Sequence, residues 1–147
     1  MAPYKFNYQL ALKLSNMLFM VLFTYAATSK LISFDYFQFQ LSKMPLISRL
    51  SAYLVWLVPC VEYAIVLLFL VPKQLLSAYY LSLGLLTGFT SYLIWVLNSG
   101  KAVPCSCGGV LSNLSWKTHI LFNFAFIAIA IINISILHNQ KGFLRQT

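Results

Sequence analysis

Residues 50–97 read LSAYLVWLVPCVEYAIVLLFLV, then PKQ, then LLSAYYLSLGLLTGFTSYLIWVL. These are two apolar runs, 50–71 and 75–97, separated by Pro72, Lys73 and Gln74 alone. Crossing the hydrocarbon layer of a bilayer as a helix takes about 20 such residues. Proline cannot continue the first helix, and a three-residue link has room only to reverse the chain. The stretch therefore predicts two antiparallel membrane helices joined by a tight hairpin.

Working outward, two more runs have the same character. One covers 12–32, with Lys13 at its edge, Asn16 just inside and Lys30 near its far end. The other covers 119–137 and carries Asn123 and Asn133. The expected fold is all-α, an integral membrane four-helix antiparallel bundle forming a single domain over 1–147, with both ends on one side. The first run is longer than the apolar part of a secretory leader and holds Asn16 and Lys30, so it reads as a span that is retained. Composition agrees: of 147 residues 61% are hydrophobic and 8% charged, where a soluble domain carries roughly a quarter. Mean hydropathy is +0.81. The implied solvent is the lipid bilayer. The net charge of +8 comes from single Lys and Arg residues at the edges of the runs. No basic stripe is present, which argues against nucleic acid as a partner. With four spans, Lys5, Lys13, Lys73, Lys141 and Arg145 share one side, and Lys30, Lys43, Arg49, Lys101 and Lys117 the other, so charge does not orient the bundle. Trp56, Trp95 and Trp116 suit interfacial anchoring.

Between the first two spans, 35–48 alternates aromatic and polar residues and predicts an interfacial helix or a re-entrant segment. Glu62 is the outlier of the second span, since a carboxylate at membrane depth is costly and is either functional or paired. Lys30 is its candidate partner. One reading of Glu62 is proton handling or the polarising of a bound electron acceptor; the other is a structural hydrogen bond. Cys60 lies about 200° around the helix from Glu62 and should point outward as a small apolar residue. His119 and Asn123, four apart, share a face at the mouth of the fourth helix, where His119 is placed to move a proton from a thiol or simply to sit at the interface. Asn133 is expected to bond between helices.

The longest polar loop holds Pro104-Cys105-Ser106-Cys107-Gly108-Gly109. Two thiols one residue apart can close a small, strained ring, and strained disulfides are the labile, exchanging kind. A helix start follows, with Ser112 or Ser115 as its cap, and helix N-termini favour the reactive thiolate. Three readings stand: a redox-active dithiol, a soft-metal site for Cu(I), or a pair with a structural role only.

Ala27-Thr28-Ser29-Lys30-Leu31, then Phe34-Asp35 and Phe37, then Pro59 with Glu62 three residues on, resemble the first half of the DoxX-like membrane proteins. The Cys-Ser-Cys-Gly-Gly loop after the third span resembles the branch related to the methylamine utilisation protein MauE. The resemblance implies a bundle in a bacterial inner membrane, termini in the cytoplasm and the cysteine loop in the periplasm. It also implies redox support for exported proteins, an exported or membrane redox partner, and quinone as the electron acceptor. On that view Cys105 and Cys107 exchange disulfides with the partner, assisted by Glu62 and His119, while Lys30, Glu62 and Asn123 line the acceptor's path. An architectural likeness to four-helix thiol oxidoreductases such as the vitamin K epoxide reductases is also implied. This chain departs from them in having one close thiol pair, with Cys60 unpaired. A non-catalytic role as an assembly subunit of a membrane complex is the alternative to the redox reading.

Overall fold

The computed structural model describes residues 3–44, 47–99 and 116–144, with side chains described over 8–44, 47–99 and 118–139. Five α-helices follow one another: α1 (Pro3–Ile32), α2 (Phe34–Lys43), α3 (Ser51–Leu70), α4 (Leu75–Asn98) and α5 (Trp116–Leu144). No strand occurs among the described residues. Four of these helices are long and apolar enough to cross a membrane, over Tyr8–Ile32, Ser48–Leu70, Pro72–Asn98 and Thr118–Asn139. Only 17 to 28% of each span is buried within the chain. Large apolar side chains such as Val21, Leu67 and Leu121 point outward, so the surface they form is matched to lipid. The protein is a multi-pass membrane protein.

The turns follow from local chemistry. The Val71 amide bonds back to Leu68 O, Pro72 stops α3, and a single 3-10 turn over Pro72–Gln74 delivers the chain into α4. α1 breaks at Ser33 and resumes at once as α2. α2 is the amphipathic element expected between the first two spans. It buries Phe37, Gln40 and Leu41, spaced to share one face, and leaves Tyr36 and Phe39 exposed. Asp35 in its first turn and Lys43 in its last both complement the helix dipole.

α1 packs on α3, α3 on α4 in the hairpin, α4 on α5, and α2 on the start of α3. One half of the bundle is tightly filled. There Phe19, fully buried, meets Phe69, Tyr79 and Phe126 at ring-centroid distances of 5.6, 5.4 and 5.2 Å. Ala78 and Ala130, both fully buried, let the helices approach. The Tyr79 hydroxyl donates to Asn16 Oδ1 at 2.6 Å and so ties α4 to α1. Asn133 departs from expectation. Its amide donates to Ile129 O, one turn back on its own helix, rather than to a neighbour. A short amide side chain on a helix has that carbonyl within reach whatever the neighbours offer.

In lipid the association of helices rests on close packing more than on hydrogen bonds. Phe19→Ala is therefore expected to destabilise the bundle by about 3 kcal/mol. Tyr79→Phe, which removes only the bond to Asn16, should cost about 0.6 kcal/mol. Reversible unfolding in mixed micelles measures both, and the order of the two effects is the check.

Candidate functional site

The other half of the bundle is hollow. A partly enclosed cavity of about 260 Å³ lies between the end of α1, the inner face of α2, the first half of α3, the second half of α4 and the first turns of α5. Its walls are almost wholly apolar, with Phe23, Leu41, Met44, Val58 and Phe89 among them. Five polar side chains line it: Lys30, Glu62, Tyr92, His119 and Asn123.

Lys30 and Glu62 form a buried ion pair, Nζ to Oε1 at 2.7 Å. The reach is explained by helix geometry. Side chains lean toward the helix N-terminus, so the Lys30 stem runs back along α1 and its ammonium also donates to Ala26 O at 3.3 Å. The amine ends up deeper than its position near the end of α1 suggests. It also lies over the Phe37 ring of α2, 5.9 Å from the centroid. Thr28 and Tyr63 share a hydrogen bond of 2.8 Å between the same two helices, which fixes their register. Pro59, buried one turn before Glu62, has no N–H to donate, so α3 lacks one rung of its hydrogen-bond ladder just ahead of the carboxylate.

His119 and Asn123 do share a face, and both are buried. The Asn123 amide donates to Thr90 Oγ1 on α4 at 3.1 Å. His119 meets Phe89 edge-on, at 5.9 Å and 84°. Three buried polar atoms here have no hydrogen-bond partner among the described residues: Glu62 Oε2, His119 Nδ1 and His119 Nε2. Leaving such a group unsatisfied costs about 1–3 kcal/mol, so three of them around one space mark a place where a polar group from elsewhere belongs.

Lys30, Glu62, His119 and Asn123 are thus brought together. Cys60 is exposed, on the far side of α3 from Glu62. Cys105 and Cys107, with the capping candidates Ser112 and Ser115, lie outside the described residues. Among the described residues no three of His, Cys, Asp and Glu gather as metal ligands do. Sequence reasoning missed Thr90, the acceptor for Asn123, and the part of Phe37 above the Lys30 ammonium. Thr90 is a polar residue inside an apolar run, which was a usable signal.

Unpaired, a buried charge is strongly destabilising, whereas replacing both partners together is tolerated. Glu62→Leu is therefore expected to lose about 3–5 kcal/mol of stability. Lys30→Met added to it should recover most of the loss. Unfolding of these two variants and of Lys30→Met alone in mixed micelles closes the cycle, and simple additivity would show that the pair carries no coupling.

The sequence profile of a family described as methylamine utilisation protein MauE matches residues 8–136, which include every described element around the cavity. No curated protein and no solved structure matches the chain.

Proposed function

The chain belongs to the MauE family, and on that premise we propose that it is a redox-associated protein of a bacterial inner membrane that supports disulfide formation in an exported partner. The observation that carries the reading is the position of the cavity. The cavity occupies the half of the bundle in which α4 ends at Asn98 and α5 begins at Trp116, with Glu62 its deepest polar group, part-way along α3. The segment joining those two helices contains Cys105 and Cys107. On this reading the thiols serve that half of the bundle.

In this reading Cys105 and Cys107 cycle between disulfide and dithiol. A partner thiolate attacks one sulfur of the Cys105–Cys107 bond, which forms a mixed disulfide and frees the other cysteine as a thiolate. The partner's second thiolate then attacks the mixed disulfide. The partner leaves oxidised, and Cys105 and Cys107 hold the two electrons and, with protons taken up from water, are a dithiol. His119, on the first turn of α5, is the residue placed to accept a proton as that dithiol is reoxidised.

Quinone is the acceptor that the cavity suits best. A cavity of about 150 Å³ holds a benzene ring, so the larger space here takes a substituted ring. Apolar walls with a few convergent polar groups are what such a ligand needs. Lys30, Glu62, His119 and Asn123 would hold it, and when bound it would supply a two-electron, two-proton acceptor. The loop faces the periplasm in this reading and the termini the cytoplasm. The family's name suggests a place in methylamine utilisation. The residues speak to the redox support and not to any amine chemistry.

Thiol trapping in intact cells tests the exchange. After an acid quench, a membrane-impermeant maleimide should label Cys105 and Cys107 only after reduction, or a mixed disulfide should be caught. Cys105→Ser should abolish partner oxidation while insertion continues. Free thiols at both positions, reachable only after lysis, would reverse the topology and remove the exchange reading.

A further inference from the structure

We propose that the cavity is selective for the reduced, hydroxyl-bearing state of its ring ligand: a hydroquinone whose hydroxyl donates to Glu62 Oε2, with its second oxygen met by His119. This rests on the reading of the cavity as the acceptor's seat and assigns which state of the ligand the seat prefers.

The argument is an inventory of donors and acceptors. Glu62 Oε1 is taken by Lys30 at 2.7 Å, and Oε2 has no partner among the described residues. A carboxylate oxygen accepts hydrogen bonds and does not give them, so the position calls for a donor. The wall also holds donors of its own, since an ammonium has three N–H and a side-chain amide two. Lys30 gives two of its N–H to Glu62 Oε1 and Ala26 O and lies over the Phe37 ring. The Asn123 amide donates to Thr90 Oγ1. A quinone carbonyl, which only accepts, can take a remaining ammonium or amide proton but leaves Glu62 Oε2 without a donor. A hydroxyl can accept in the same way and satisfies that oxygen as well. His119 is neutral to the choice, since a neutral imidazole carries one donor and one acceptor and neither is used. It meets a hydroxyl or a carbonyl equally, and so contributes affinity without selectivity.

The preference bears on the chemistry. A site that binds the reduced state more tightly raises the potential of the bound couple. For a two-electron couple a tenfold preference corresponds to about 30 mV. The cavity would make its ligand a stronger oxidant toward a dithiol than the same molecule free in the bilayer.

The test measures binding rather than turnover. The full chain carrying Cys105→Ser and Cys107→Ser, which cannot exchange electrons, is placed in lipid nanodiscs. It is titrated calorimetrically and anaerobically with a short-tailed dimethoxy-methyl benzoquinone and, separately, with its hydroquinone. The hydroquinone is expected to bind about tenfold more tightly, the worth of one hydrogen bond to a charged group. The neutral pair Lys30→Met with Glu62→Leu should erase the preference, leaving both forms the affinity that His119 and Asn123 supply. His119→Phe should weaken both forms alike. Equal affinities, a tighter quinone, a preference that survives loss of the ion pair, or binding of neither form because the cavity holds only water would each overturn the inference. The two proposals fail separately. Partner oxidation that is indifferent to Cys105→Ser removes disulfide exchange and leaves this preference standing. A missing preference leaves the exchange untouched.

Discussion

A carboxylate set part-way along an apolar helix has to find a cation, and Glu62 finds Lys30 at 2.7 Å. The requirement constrains more than two side chains. Lys30 sits near the end of α1 and must fold back along its own helix to reach the partner, so the end of α1 is held beside the middle of α3. The Thr28–Tyr63 bond repeats that constraint. Once α1 and α3 are registered, α2 has a fixed origin at Ser33 and a fixed floor on α3, and it closes over the ammonium with Phe37. The hollow half of the bundle has its shape because a charged pair, rather than interlocking apolar groups, sets the helix spacing there.

The contrast with the filled half is instructive. Around Phe19 four aromatic rings and two alanines interlock, and one hydrogen bond suffices. Around Glu62 the wall residues are equally apolar, yet they enclose space. Interiors pack to a density that leaves few voids larger than a water molecule. A cavity of about 260 Å³ with three unpartnered polar atoms of the described residues around it departs from that rule.

Much of the architecture was legible in the sequence. Pro72-Lys73-Gln74 between two apolar runs leaves one geometry, and the four spans follow from length and hydropathy alone. Glu62 and Lys30 stood out because charge is expensive in lipid, and His119 with Asn123 because four residues make about one turn. What the sequence withheld is rotation. α3 is apolar on every side, so its pattern does not say which face meets α1, and nothing in the pattern places Phe89 or Met44 beside Glu62. The cavity was invisible for the same reason, since empty space is a property of how faces meet. Asn133 shows the opposite error. A polar residue in a span was read as an interhelical bond, whereas its own backbone was the nearer acceptor.

The ion pair has an electrical consequence. A single charge carried across a membrane exchanges about 2.3 kcal/mol with each 100 mV of potential, so a lone Lys30 or Glu62 at this depth would be pulled or pushed as the membrane charged and discharged. Together they sum to zero. The polar centre of the protein is therefore nearly silent to voltage.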